Sequence, residues 1–220
     1  TDETTSVLTQ EFPSVLLVAK PRNEGFAAAC NKGFECCRYA LIGLLNNDVW
    51  VDECYFLFQA RHFCDPQVFA VTARVFAWDE PVFMTGGRYG RFRRGFWSVY
   101  FNYDLPRQGA PPANPQRLLS AYAIGGFSMY SRDKVMELGG FDSLLSPFHW
   151  EDVDLSYRGW KRGWQVLYEP RSVAYHKVSA TIDRNFRQKH VDAVSFRNRL
   201  LFHWINLHSP TFLARSSGLW

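Results

Sequence analysis

Three short apolar runs, set at intervals along the first eighty residues, constrain the fold more than any other feature of the chain. PSVLLVA from Pro13 to Ala19 and LIGLL from Leu41 to Leu45 have the continuous Val, Leu and Ile content of strands covered on both faces, and Val68 to Phe76 alternates as a strand. Between the first two, Ala27, Cys30, Phe34, Cys37 and Leu41 fall at roughly helical spacing. Between the second and third, Asp52 can cap a helix over Glu53 to Phe63 that Asp65-Pro66 closes, with Phe56, Leu57 and Ala60 expected to face a sheet. Strand, helix, strand, helix, strand predicts an α/β layer.

Size allows one such layer. With 220 residues and 47% hydrophobic content, the chain can bury one substantial core. The expected organisation is a domain over residues 1–183 and a C-terminal basic amphipathic helix and tail over 184–220. That helix is expected from about Asn185 to Leu207, with Val194, Leu201, Trp204 and Ile205 on its apolar side, packed on the domain or lying on a membrane surface. A net charge of +4 does not demand a polyanion, although a phosphorylated substrate or anionic surface suits it. The five cysteines lack zinc-ligand spacing and suit a reducing, cytoplasmic setting. No apolar run reaches transmembrane length.

Polar residues then gather where strands end. Asn23 and Gly25 turn the chain into the first helix, a geometry that offers backbone N–H groups to phosphate or ribose oxygens. Asn31 is a polar amide early in an Ala-rich helix, which suggests a ligand or a local cap. Asn46-Asn47-Asp48 follows the second apolar run at once, and ligands of open α/β sheets collect at the carboxyl ends of strands. From Glu80 to Arg117 six arginines, interleaved with aromatics, face only Glu80 and Asp104, as in a solvated loop or hairpin able to pair with phosphates or stack on rings. AYAIGGFSMYS reads as a strand with a glycine pair, and Ser131 is expected to cap a short helix from Asp133 to Leu138 that Gly139-Gly140 ends.

The densest segment is FHWEDVDLSYRGWKRGWQVLYEPRSVAYH, from Phe148 to His176. Glu151, Asp152 and Asp154 crowd the start of a helix that Gly163 ends, and Trp164, Val166 and Tyr168 alternate as a strand up to Pro170. Acids in a first turn complement the helix dipole, yet a rigid helix start is also where a base can be held toward a substrate.

In this order, NEGFAAACNKG, LLNNDV, GGFSMYSRDKVMELGGFD and HWEDVDLSYRGWKRGWQVLYEP with a later histidine together resemble the family 2 glycosyltransferases, in particular the rhamnosyl- and galactofuranosyl-transferase-like branch. The resemblance covers Thr1 to His176. It implies a GT-A fold, an open mixed sheet flanked by helices. It also implies a nucleotide-sugar donor, a glycan or lipid-linked acceptor, a divalent metal (Mg²⁺ or Mn²⁺) and inversion at the anomeric carbon. By resemblance Asp48 is the metal-binding carboxylate, with Asn46 where many members have Asp. His176 completes the metal site, Asp152 is the general base and Glu151 orients the acceptor. Gly25, Asn31 and Asn46 lie near the nucleotide, and Gly126 near the donor sugar. The family's first strand, helix and second strand have no counterpart before Thr1-Asp2, so an N-terminally truncated fold is expected. The implied location is cytoplasmic, with peripheral contact at the inner membrane face, and no nucleic acid is expected. Two rivals remain at this point: an inactive GT-A-like binding or assembly fragment, and a polyanion-binding module built on the Arg and aromatic loop.

Overall fold

A computed structural model of the chain describes residues 3–79, 82–93, 96–102, 118–177 and 187–208. Its strands are β1 (Leu41–Leu45), β2 (Val49–Val51), β3 (Val68–Ala77), β4 (Phe83–Thr85), β5 (Arg88–Arg93), β6 (Phe96–Asn102), β7 (Leu118–Leu119), β8 (Phe127–Ser131) and β9 (Gln165–His176). Its α-helices are α1 (Thr4–Glu11), α2 (Phe26–Cys36), α3 (Tyr55–Ala60), α4 (Arg132–Glu137), α5 (Glu151–Lys161) and α6 (Gln188–Asn206).

The main sheet runs β1-β8-β3-β9-β2, with β4 added to β3 and β7 to β9. β3 lies at its centre and is buried from Val68 to Ala73, as a continuously apolar strand should be. It pairs parallel with β9 and antiparallel with β8, so the sheet is mixed. Phe34, Phe69, Tyr130, Phe141 and Leu155 fill the space between this sheet and helices α2, α4 and α5. β5 and β6 form a separate antiparallel hairpin, so part of the Arg and aromatic stretch is ordered. Residues 103–117 of that stretch, and 178–186 and 209–220 of the C-terminal region, lie outside the described residues.

Four local expectations are corrected. Residues 13–19 form no strand: Val15 is 52% and Leu16 67% exposed, because an apolar run becomes a buried strand only where a neighbouring strand accepts its backbone hydrogen bonds. The helix after Asp52 is α3 followed by a 3₁₀ turn over Arg61–Cys64, and it buries Tyr55 and Gln59 while Phe56 and Leu57 face solvent. Gln59 turns inward because its amide donates to Ser172 Oγ at 2.9 Å.

Pro170 interrupts pairing without ending β9. The register jumps from Ala73↔Glu169 to Arg74↔Val173, and the buried Glu169 carboxylate holds the bulge by accepting from the Arg171 backbone and guanidinium and from Arg61. The strand then resumes and delivers His176.

Helix α6 buries Val191, Val194, Asn198, Phe202, His203 and Asn206, whereas Trp204 is 58% exposed. Its inward face is therefore partly polar, which a count of apolar residues does not reveal. No helix among the described residues is long and apolar enough to cross a membrane.

Candidate active site

One cleft of about 930 Å³ opens where the ends of β1 and β9 meet the N-termini of α2 and α5. Gly25, Asn46, Asp48, Glu151, Asp152 and His176 all line it, so six of the eight positions singled out from sequence converge on one space.

Strand pairing makes the first half. β2 runs antiparallel to the end of β9 with Val49 opposite His176, which brings the imidazole beside the residue preceding Val49. His176 Nε2 lies 3.4 Å from Asp48 Oδ1, and that oxygen is buried without a hydrogen-bond partner. A buried carboxylate oxygen without a donor is costly unless a cation or ligand meets it. Leu45 pairs with Phe127, which lays Asn46 against the turn before β8. There Gly126 has φ +85°, its carbonyl accepts from Asn46 N–H at 3.4 Å, and a Cβ on it would fall 2.5 Å from the Asn46 side chain. Gly126 does not line the cleft but shapes the seat of Asn46.

The second half is the α5 N-terminus. Asp152 accepts from Gly125 N–H at 3.0 Å through Oδ2 and from Val153 N–H at 2.8 Å through Oδ1. Burial raises its carboxyl above the ordinary range, and these N–H donors and His149 pull it back. Glu151 has no such support: it is 7% exposed, its Oε2 is buried and unpartnered, and burial together with the adjacent Asp152 charge pushes it up to about 8. Burial therefore favours the neutral form of both carboxyls, and of the two only Asp152 has backbone N–H donors that favour its ionised form. Burial also lowers the His149 pKa below the ordinary histidine value, and the neighbouring Asp152 opposes that shift.

Asp154, the third acid, has a different task. It is fully buried, accepts from Arg158 Nε at 2.8 Å and from Asn206 Nδ2 at 2.6 Å, and so ties α5 to α6. Arg158 also donates to the carbonyls of Leu138 and Gly140, closing the turn after α4.

Two further pieces hold the walls in register. Gly25, with φ +86°, begins α2 against the loop before α5: Phe26 N–H donates to the Pro147 carbonyl at 3.2 Å, and a Cβ on Gly25 would lie 3.3 Å from Pro147 backbone. Asn31 is not at the cleft. Its amide exchanges two 2.8 Å hydrogen bonds with the Phe141 backbone, N–H to Oδ1 and Nδ2 to carbonyl, which fully employs a polar group in an apolar helix as a clamp. The expectation of Asn31 beside a nucleotide is corrected accordingly.

Several lining residues escaped the reading of the sequence. Arg88 enters from β5, Ser195 and Arg199 from α6, and Tyr122 and Gly125 from the turn before β8. The Arg-rich stretch signalled that a charged surface existed, but nothing local said which arginine faces inward.

Among the described residues no group of three or more His, Cys, Asp or Glu side chains could hold a metal ion. Asp48 and His176 supply one hard oxygen and one nitrogen, a donor set that suits Mn²⁺ or Mg²⁺ when substrate oxygens complete the shell. The unpartnered Asp48 Oδ1 is consistent with that use.

A family model described as Glycosyl transferase family 2 matches residues 1–139. The chain is 29% identical over 159 residues to the pre-mycofactocin glycosyltransferase of Mycobacterium tuberculosis, in strains CDC 1551 / Oshkosh and H37Rv alike. That match covers 71% of this chain, which spans 31% of the length of those curated relatives. Among solved structures, GalNAc-T7 with UDP, GalNAc and Mn²⁺ aligns with a TM-score of 0.64 at 16% identity, covering 82% of this chain and 35% of that one. The mannosyltransferase PcManGT from Pyrobaculum calidifontis with GDP-Man and Mn²⁺ aligns at 0.59 and 18% identity, covering 93% and 51%. At those identities the likeness is one of fold, the GT-A glycosyltransferase fold.

Proposed function

The chain belongs to glycosyl transferase family 2, and on that premise we propose that it carries the transfer site of an inverting, metal-assisted glycosyltransferase acting from a nucleotide-sugar donor on a hydroxyl of a glycan or lipid-linked acceptor. The observation that carries this reading is the pairing, in one cleft, of Asp152, held by two backbone N–H groups, with a half-built cation site at Asp48 and His176.

Asp152 is the base. A sugar hydroxyl is a weak nucleophile, so a carboxylate within hydrogen-bond reach takes its proton as the oxygen attacks the anomeric carbon. The new C–O bond forms as the bond to the diphosphate breaks on the opposite face, which inverts the configuration. The proton passes to Asp152, and the electron pair leaves with the diphosphate. Asp48 and His176 would hold the divalent cation, which when bound offsets charge developing on the leaving group. Two solved structures of this fold, GalNAc-T7 and PcManGT, contain Mn²⁺ with a nucleotide or nucleotide sugar, which supports the assignment. Glu151, protonated beside the base, presents a hydrogen-bond donor to the acceptor, and Gly25 and Asn46 border the space a nucleotide would occupy.

The deciding experiment uses Asp152→Asn in the complete protein. Transfer is expected to be abolished while the nucleotide sugar still binds. Turnover at the wild-type level would overturn the assignment.

A further inference from the structure

The cleft holds two guanidiniums that the transfer reaction, as described, does not use. Arg88 reaches it from the β5–β6 hairpin and Arg199 from α6. Neither has an Asp or Glu within ion-pairing distance among the described residues. Arg88 donates through Nη2 to Thr85 Oγ1 at 2.9 Å, while its Nε is buried with no partner. Arg199 lies with its guanidinium 5.7 Å from the Phe96 ring centre.

Arg88 lies toward the base, and Arg199 lies on the helix that holds the loop before it. Tyr122 is near enough to feel both the Asp152 carboxylate and the Arg88 charge. Arg199 follows Asn198, whose amide grips the carbonyls of Phe148 and His149 just ahead of Glu151. The metal half of the cleft is built from the β1–β2 connection and the end of β9, to which neither arginine belongs.

A partly desolvated guanidinium with no carboxylate at ion-pairing distance loses hydration without full return. Its rigid fork matches a carboxylate or phosphate and gains little from a neutral hydroxyl. Ser98 and Ser195, also at the cleft, add hydroxyl donors of the kind that complete an oxyanion's shell. We propose that Arg88 and Arg199 form an oxyanion subsite that receives a phosphate-ester or carboxylate group of the acceptor, close to the hydroxyl deprotonated by Asp152. This rests on the reading of Asp152 as the base, and it narrows the acceptor to anionic molecules.

The test uses the complete protein loaded with Mn²⁺ and a nucleoside diphosphate, so that the donor end is filled. Hexyl phosphate, hexanoate and hexanol are titrated while tryptophan fluorescence is followed. Hexyl phosphate or hexanoate is expected to bind at least about tenfold more tightly than hexanol, and the stronger of the two identifies the group recognised. Arg88→Met and Arg199→Met should each remove about tenfold or more of that affinity, with partial recovery in Arg199→Lys, while nucleoside diphosphate affinity stays and reports an intact fold. Anions binding no better than hexanol would overturn the subsite. So would arginine variants that weaken the nucleoside diphosphate instead, since the guanidiniums would then serve the donor. If Asp152→Asn transfers normally while the arginine variants still lose the anion, the subsite stands and the base assignment falls.

Discussion

The side-chain amide of Asn198 donates to the carbonyl of His149 at 2.8 Å, and the same nitrogen reaches the carbonyls of Phe148 at 2.9 Å and Leu145 at 2.5 Å. A residue of the last helix thereby holds the loop that leads into Glu151 and Asp152. His149 and Trp150 both carry positive φ, 71° and 77°, a conformation unfavourable for side chains with a Cβ that persists only when its surroundings enforce it. Asn198→Ala is therefore expected to let this loop relax and displace Asp152, the proposed base. Turnover should fall by about 10²-fold, as for an ångström-scale misplacement, while nucleotide affinity is kept. Steady-state kinetics beside nucleotide titration check this, and an unchanged turnover would show that the loop holds itself.

Asp154 and Arg158 form a nearly enclosed pair, with the Asp154 side chain 1% exposed. Arg158→Met removes the cation, leaves Asp154 with Asn206 alone, and also strands the Leu138 and Gly140 carbonyls. Breaking a buried pair from one side costs about 3–5 kcal/mol, and Arg158 is partly exposed, so about 3 kcal/mol is expected. Denaturant unfolding of the variant measures it.

Glu151 ties stability to pH. Its folded-state pKa, about 8, exceeds the ordinary value of 4.5, so the folded chain holds this proton more tightly than the unfolded one. The stabilisation is complete below pH 4.5 and is lost as pH rises through 8. Glu151→Gln keeps the shape and removes the titration. The variant is expected to match wild type in acid, to gain relative stability between pH 4.5 and about 8, and to hold that gain above it. Melting temperatures across that range decide the point, and parallel curves for the two proteins would refute it.

Gly126→Ala tests the seat of Asn46. The new methyl would meet the Asn46 side chain at 2.5 Å, and φ of +85° adds about 1–2 kcal/mol of backbone strain for an L residue. Asn46 must move, and with it the turn carrying Asp48. Weaker Mn²⁺ binding in the presence of nucleoside diphosphate is expected, by roughly tenfold if the loss is of the order of the strain. Calorimetry gives the number directly.

Removing His176 tests the other side of the same site. His176→Ala leaves Asp48 alone of the two proposed ligands, and Mn²⁺ binding with nucleoside diphosphate present should drop more than in Gly126→Ala. An unchanged affinity would place the cation elsewhere.

Much of the site was legible because its signals are local. NND after an apolar run, a glycine at a helix start, and acids crowding a first turn each carry their physics within a few residues. Asn31 misled for the same reason: its polarity was conspicuous, but its partner is the backbone of Phe141, more than a hundred residues away. The apolar run at residues 13–19 misled because hydrophobic content states a preference for burial without providing a neighbour to pair with.

By itself the sequence determined the α/β class, the position of Asp48 after an apolar strand, and the presence of a helix beginning at Glu151-Asp152, since periodicity and helix punctuation act at short range. Tertiary structure decided what those residues became. Pairing of β2 with β9 put His176 against Asp48, and packing of α6 on the α5 entry loop brought Ser195 and Arg199 to the cleft. The division among Glu151, Asp152 and Asp154 was settled the same way. Three acids that look alike in sequence were given a buried unpartnered oxygen, two N–H donors and an arginine respectively, and burial and the donors within reach set how readily a carboxyl ionises.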